Sequence, residues 1–455
     1  MSALEVYKAI VEAQTLQLPL KQDAPIFTRN LEQRLDGRRK SERLYAPKRP
    51  REVVDFSSND FLSISSSGLL RSAFLEEMAQ HPEMDIGTAA SRLLDGNSEY
   101  VENLEREIAS FHGAETALMF GSGYEANISI YEVIPLPGDM IVYDELVHAS
   151  IHNGIRNSRA SIKKSFSHNN PTSLAATLSD LRENNEAVRL GMQTIIIAVE
   201  SVYSMDGTVA PLVEFVTVLE DLFPLKNWEI VIDEAHSTGL VGKNGRGLVC
   251  ALGLEDKIAI RLHTCGKGLG CTGAAVLCNA TVRNTLLNYA HCIIYSTSPT
   301  FPTLAAIRAA YKMLMNGDLA ERQQRLQKLI RHFYTRMYQH QAWSKAKSAE
   351  ILDIPSGKDY ESQPFVTQIV PLWTRNLDNH WLASNLQYAN YRAWPVDYPV
   401  VPRDQGRVRL MFHADNTIEQ VDGVVETIVK WINERLNVVE GQRPRKRDLQ
   451  LREKF

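Results

Sequence analysis

The segment His263-Thr-Cys-Gly-Lys-Gly-Leu-Gly270 sets one lysine among three glycines and a threonine, just ahead of the apolar run Gly273–Leu277. Such a lysine can be a solvated loop charge, or an amine kept for covalent chemistry with a carbonyl. The apolar run Ile230-Val-Ile232 ends in Asp233-Glu-Ala-His236, with Asp233 34 residues before Lys267. An acid that closes a strand can cap the next helix, or it can pair with a protonated pyridine nitrogen. An amine that forms a Schiff base and an acid that protonates a pyridine ring are both parts of a pyridoxal 5′-phosphate (PLP) site. Asp-Glu-Ala-His also names a helicase box, but that chemistry needs a Gly-x4-Gly-Lys-Ser/Thr phosphate loop. Here the lysines that follow glycine, 243, 267 and 358, precede Asn, Gly and Asp. The helicase reading is excluded.

A PLP site also needs a phosphate cradle, a ring-stacking group and a carboxylate anchor. Gly121-Ser-Gly-Tyr124 lies between the strand-like Ala117–Phe120 and a helix expected from Glu125 onward. Strand, glycine turn and helix point backbone N–H groups and a helix dipole at an anion, though a lone Gly-x-Gly is also an ordinary turn. His148 can stack on a pyridine ring and hydrogen-bond a substrate carboxylate, or be a satisfied histidine without function. Arg409 interrupts an apolar run between Val408 and Leu410. It is either an edge-strand charge or a guanidinium that grips a carboxylate through two parallel hydrogen bonds.

These groups need elements to position them. At 455 residues, 44% hydrophobic and 23% charged, the chain can bury a large core in two or three units. From Met140 strands alternate with helices: Met140–Val142, helical 147–157, Thr194–Val199, helical Pro211–Leu222, Glu229–Ile232 and Ala274–Leu277. That is an α/β layer with a mostly parallel sheet. Ser98 is placed to cap a helix with Val101, Leu104, Ile108 and Phe111 on its apolar side. After Pro302 one long helical region is expected to about Gln341, then strands at 366–370 and 407–412 and a helix at 417–435. The N-terminal 2–18 has helical periodicity, and Arg38–Arg51 reads as an exposed basic connection.

A net charge of −4 argues against a general nucleic-acid binder. No run of 18 apolar residues is present to span a membrane. Five cysteines without a Cys-x-x-Cys argue against a disulfide framework or a metal site and fit a reducing compartment. No targeting signal is evident, so the expectation is cytoplasmic.

The ordered motifs resemble those of the α-oxoamine synthases, a fold-type I PLP family. They are Ser58-Asn-Asp-Phe-Leu, Gly87-Thr-Ala-Ala-Ser-Arg-Leu-Leu-Asp-Gly-Asn-Ser98, Gly121-Ser-Gly-Tyr-Glu-Ala-Asn127, Asp144-Glu-Leu-Val-His-Ala-Ser150, Glu200-Ser-Val-Tyr-Ser-Met-Asp-Gly207, Asp233-Glu-Ala-His-Ser-Thr-Gly239, Gly245-Arg-Gly247, Thr264-Cys-Gly-Lys-Gly268, Tyr295-Ser-Thr-Ser298 and Gly406-Arg-Val-Arg-Leu410. The resemblance implies a large domain with a mostly parallel seven-stranded sheet and a smaller α+β C-terminal domain. The divisions expected are 1–60 for an N-terminal helix and connection, 61–300 for the large domain, 301–440 for the small domain and 441–455 for a basic tail. It implies that Lys267 carries the cofactor, Asp233 pairs with its ring nitrogen, His236 bonds its ring hydroxyl and His148 stacks on its face. Gly123 and Tyr124 N–H groups with the Thr264 hydroxyl would hold the phosphate, and Ser204 would sit near the ring hydroxyl. Ser296 or Thr297 would reach the phosphate from a second subunit, which implies a homodimer. Asn59 and Arg409 would bind the amino-acid carboxylate.

The implied reaction is decarboxylative condensation of an amino acid, alanine favoured, with an acyl thioester carried by CoA or a carrier protein. The closest look is to 8-amino-7-oxononanoate synthases of biotin biosynthesis. Alternatives are a specialised-metabolism relative using serine or glycine with a long or polyketide acyl group, and a fold-type I aminotransferase or lyase. A non-catalytic partner subunit usually lacks the Schiff-base lysine. Three departures bear on the acyl pocket. Phe61-Leu-Ser-Ile stands where Tyr-Leu-Gly-Leu is common, Cys271 replaces a small Ser or Ala, and Trp394-Pro-Val-Asp-Tyr-Pro-Val-Val-Pro-Arg403 replaces Arg-Pro-Pro-Thr-Val-Pro.

Overall fold

The computed structural model describes residues 24–40, 44, 47, 53–258, 260–375 and 378–441. The helix expected at 2–18 and all but the first residue of the basic tail lie outside the described residues. Arg38, Arg39 and Lys40 form the last turn of a helix, Ile26–Lys40, rather than a connection. Three cations there face the negative end of the helix dipole.

β1 (Val54–Asp55) precedes the main sheet, which contains β2 (Thr116–Phe120), β3 (Met140–Asp144), β4 (Ile162–Phe166), β5 (Ile195–Glu200), β6 (Trp228–Asp233), β7 (Ile260–Thr264) and β8 (Ala274–Cys278). Its order is β2-β8-β7-β6-β5-β3-β4, and only β8 runs antiparallel to its neighbours. The seven-stranded, mostly parallel sheet expected from the resemblance is therefore present. β5 and β8 are buried along their whole length, as a strand covered on both faces must be. Because β2, β7, β6, β5 and β3 share one direction, their carboxyl ends share one edge. Phe120, Thr264, Asp233, Glu200 and Asp144 close those strands, and ligands of open α/β sheets bind along such an edge.

The region after Pro302 is two helices, Phe301–Asn316 and Ala320–Gln339, separated where Gly317 takes φ 82° as a left-handed cap. The first packs in one core with Leu62, Leu104 and Ala275. The second belongs to a separate core with the second sheet, β9 (Leu352–Asp353), β10 (Ile369–Thr374), β12 (Trp394–Val396) and β13 (Arg407–Met411), ordered β12-β13-β10-β9. The expected strand at 366–370 thus begins later, because Val366 and Thr367 bond Gln327 and Gly207 instead of a strand. A short β11 (Tyr391–Arg392) pairs in parallel with β1, and Phe56 and Phe61 pack in that second core.

Two contacts fix the relation of the sheets. Arg407, fully buried, pairs with Asp206 of the loop after β5 and lies 4.4 Å from the centre of the Trp373 ring. Gly207 follows at φ 63°, where an added Cβ would stand 2.3 Å from the Ile369 carbonyl. Both constraints admit few alternatives.

The 87–98 loop is held from beneath by Glu105. Its carboxylate accepts two bonds from Arg92 (2.8 and 3.0 Å), one from Arg283 (2.9 Å) and one from the Met119 N–H (2.9 Å). Removing one partner of a buried pair leaves the other charge unpaired. Glu105→Ala is therefore expected to cost about 3–5 kcal/mol of unfolding free energy. Urea denaturation would show it, and an unchanged midpoint would contradict the role given to this network.

Candidate active site

Lys267 sits on the loop after β7, partly buried, with Nζ 2.9 Å from His236 Nε2. Burial holds the Lys267 pKa below its usual value, with Arg409 adding to the effect against the pull of Asp233 and Glu200. Burial and then Lys267 push the His236 pKa well down. With the imidazole neutral and Nε2 accepting from the amine, its proton is on Nδ1. That atom is buried and has no partner. Gln368 fixes the His236 carbonyl at 2.9 Å.

Asp233 ends β6. Its Oδ1 accepts the Ala235 N–H at 2.9 Å and its Oδ2 accepts Asn127 Nδ2 at 2.8 Å. Asn127 also donates to Ser150 Oγ at 3.0 Å, and Ser150 Oγ lies 2.7 Å from His148 Nδ1. The helix expected from 147 begins at Ala149, because His148 is its cap: Nδ1 accepts the Ser150 N–H at 3.2 Å. The acceptor role of Nδ1 places the ring proton on Nε2, and the ring is exposed to the cleft. A continuous chain of hydrogen bonds thus runs from Asp233 through Asn127 and Ser150 to His148.

Glu200 is the register partner of Asp233 on β5. It is 4% exposed and its Oε1 has no partner. Burial first, then the Asp233 charge, pushes its pKa well up. Burial and a neighbouring charge thereby favour the neutral form of Glu200.

The helix after β2 begins at Gly123, two residues earlier than expected, with Ser122 Oγ accepting the Glu125 N–H at 3.2 Å. An added Cβ on Gly123 would stand 3.2 Å from Thr264 Oγ1, so the glycine lets the helix start close against that hydroxyl. The first-turn N–H groups, including that of Tyr124, face outward without an intrahelical acceptor. The exposed Tyr124 ring stands edge-on to His148 at 6.3 Å.

Across from this edge, Arg409 NH1 donates to the Ser204 carbonyl at 2.8 Å. Asn59 has a buried Oδ1 without a partner. Ser296 and Thr297 are exposed; Thr297 bridges Ser91, and both help line a cavity of about 140 Å³ with Arg92, Gly121 and Glu125. Asn127, Ser150 and Glu200 were not assigned from sequence. Asn127 carried a signal, four residues after Gly123 on the same helix face. Glu200 had none, since its position depends on strand register.

The donor set fits PLP. Orphaned buried atoms at His236 Nδ1 and Asn59 Oδ1, a helix start beside a threonine hydroxyl, and a carboxylate next to a lysine of depressed pKa suit a phosphorylated pyridine aldehyde. Residues 51–428 match the aminotransferase class I and II family, and the chain belongs to it, as a PLP-dependent acyltransferase of the α-oxoamine synthase group with the fold-type I architecture. Aminoacyl transferase sphA of Aspergillus fumigatus is 47% identical over 437 residues, 95% of this chain and 93% of that protein. An 8-amino-7-oxononanoate synthase of Emericella nidulans is 44% identical over 385 residues, 84% of this chain and 90% of that protein. A serine palmitoyltransferase structure from S. paucimobilis with a bound PLP-myriocin aldimine superposes with a TM-score of 0.74, at 20% identity, over 90% of this chain and 99% of that one.

Beneath the lysine loop, His112 and His263 are buried with ring centres 4.0 Å apart. Burial lowers the His112 pKa from 6.5 to about 3. Folding holds it neutral, so the stability this allows is full above pH 6.5 and is lost as pH falls from 6.5 toward about 3. In His112→Gln the dependence of unfolding free energy on pH across that window is expected to flatten by about 1.4 kcal/mol per pH unit. Urea midpoints taken at several pH values would measure it; an unchanged slope would place the His112 proton elsewhere.

Proposed function

We propose that the enzyme condenses an α-amino acid, alanine favoured, with an acyl thioester, giving an α-amino ketone, CO2 and free thiol. The observation that carries this reading is a depressed-pKa amine, Lys267, that feels the charge of a guanidinium on the second sheet, Arg409, which donates to the Ser204 carbonyl. An amine base and a carboxylate anchor on opposite walls suit proton removal from the Cα of an amino acid.

When bound, PLP supplies an electron sink for the Cα carbanion. Asp233, kept in place by Asn127, would pair with the ring nitrogen, and His148, its orientation set by Ser150, would stack on the ring. His236 Nδ1–H would face the ring hydroxyl, with Ser204 beside it. Gly123 and Tyr124 N–H groups and the Thr264 hydroxyl would take the phosphate. Lys267 would hold the cofactor and move the proton at the substrate Cα; Asn59 and Arg409 would hold the substrate carboxylate. Glu200, neutral and buried, leaves Asp233 the single negative charge at the ring.

The reading includes a homodimer in which Ser296 or Thr297 reaches the partner's phosphate. It is supported by the exposure of Ile86, Leu94 and Tyr295, on segments that pair around Ser91 and Thr297. It also includes a large and a small domain, expected at 61–300 and 301–440 between the segments 1–60 and 441–455, although helix Phe301–Asn316 packs with Leu62, Leu104 and Ala275 of the large one. A cytoplasmic setting is part of it too, which the five free cysteines suit. The similarity to aminoacyl transferase sphA over 95% of the chain favours a second reading, a specialised-metabolism enzyme taking serine or glycine with a longer acyl group. The biotin-pathway reading takes alanine and a pimeloyl thioester.

Purified protein supplied with PLP is expected to be yellow and to retain the cofactor through borohydride reduction and denaturation, whereas Lys267→Ala retains none. Turnover in that variant should fall at least ~10²-fold, the contribution of a positioned base. A screen of alanine, serine and glycine for changes in the visible band, followed by thiol release on adding acyl-CoAs, identifies the substrate pair. A colourless wild type in excess PLP would sink the reading.

A further inference from the structure

Resting on the condensation reading, we propose that Trp394 is a specificity-determining residue. Its indole forms a wall of the path taken by the aliphatic chain of the acyl thioester. In the antiparallel pair β12–β13, Trp394 is the direct partner of Arg409. Direct partners project from the same face with Cβ atoms roughly 4.5–5.5 Å apart. That face looks toward the first sheet, because Arg409 reaches the Ser204 carbonyl and Arg407 reaches Asp206. The alternation along β13 agrees: Val408 and Leu410, on the opposite face, are 0% exposed in the core, while Trp394 is 41% exposed.

The face carries two tryptophan–arginine pairs of unlike fate. Trp373 and Arg407 are register partners, stacked and closed off by Asp206. Trp394 and Arg409 are register partners without such closure: Arg409 bonds a backbone carbonyl, that of Ser204, and Trp394 is exposed.

Covalent geometry then places the acyl group. The carboxylate gripped by Arg409 and the carbon that becomes acylated are joined by a single bond. The thioester carbonyl must therefore arrive beside that carboxylate, and its first methylenes must pass over whatever flanks Arg409. Trp394 flanks it. On the loop that follows, Tyr398 and Val400 are 47% and 61% exposed and extend the apolar surface outward. Such surface gains by covering methylenes and offers a thioester with a short acyl group nothing further.

The test is a series of saturated acyl-CoAs, acetyl to dodecanoyl, assayed by thiol release with wild type, Trp394→Ala and Trp394→Phe, all PLP-loaded. In Trp394→Ala the ratio of the dodecanoyl-CoA KM to the acetyl-CoA KM is expected to rise on the order of tenfold, and Trp394→Phe should restore most of it. Amino-acid affinity, read from the visible absorbance change without acyl-CoA, should stay within about twofold, well under the tenfold that 1.4 kcal/mol represents. A chain-length profile that Trp394→Ala leaves unaltered overturns the assignment. So does a matching loss of amino-acid affinity, which would make Trp394 a positioning residue for Arg409. Wild type releasing no thiol with any acyl-CoA or acyl carrier protein, in the presence of alanine, serine or glycine, overturns the condensation reading itself, so the two failures are distinguishable.

Discussion

Holding the pKa of an amine below its usual value next to acidic groups is the constraint on which this site depends. Burial disfavours the Lys267 ammonium, and Asp233 and Glu200 pull the other way. Each ionised carboxyl favours the ammonium, which acts neither as nucleophile nor as base. Burial and the Asp233 charge push the Glu200 pKa well up, which weakens its share of that pull. The Asp233 carboxylate is tied down by Asn127 and the Ala235 N–H, and so is reserved for a partner in the cleft.

The same economy appears in the layers around it. His148 is at once the cap of its helix and a cleft-facing ring, so one residue sets both a helix start and a ring orientation. Asp206 and Gly207 fasten the loop after β5 to the second sheet through Arg407 and the Ile369 carbonyl. Ser204, in that loop, is what Arg409 touches. The wall that carries the guanidinium is thus referenced to the wall that carries the lysine through a few buried contacts.

Local chemistry made much of this legible in the chain itself. A lysine between glycines, an acid ending an apolar strand and a Gly-x-Gly before a helix are short-range signals, and the structure gathers them along one sheet edge. Long-range registers left no such trace. β4 went unread because Ile162-Lys-Lys-Ser-Phe166 is an edge strand with exposed lysines. β7 went unread because Arg261 and His263 break its apolar pattern. Both are buried there, Arg261 on the His112 carbonyl and His263 against Thr238 and Glu234. The long region after Pro302 was read as one helix because a single glycine gave too little notice of its break. Arg407 carries no local sign of Asp206, its partner 201 residues away.

The pairing of β1 with β11 bears on the order in which the molecule is assembled. Asp55 and Arg392 meet at 3.3 Å across 337 residues of chain, and Phe56 and Phe61 complete a core otherwise built after residue 200. During synthesis the strands of the first sheet leave the ribosome well before β10 to β13, and contacts of such separation form late. The edge that bears Lys267 can therefore be folded while the opposite wall is still unmade. The segment bearing Asn59 waits through most of translation for the strands that fix it, leaving its apolar residues to be shielded in the meantime.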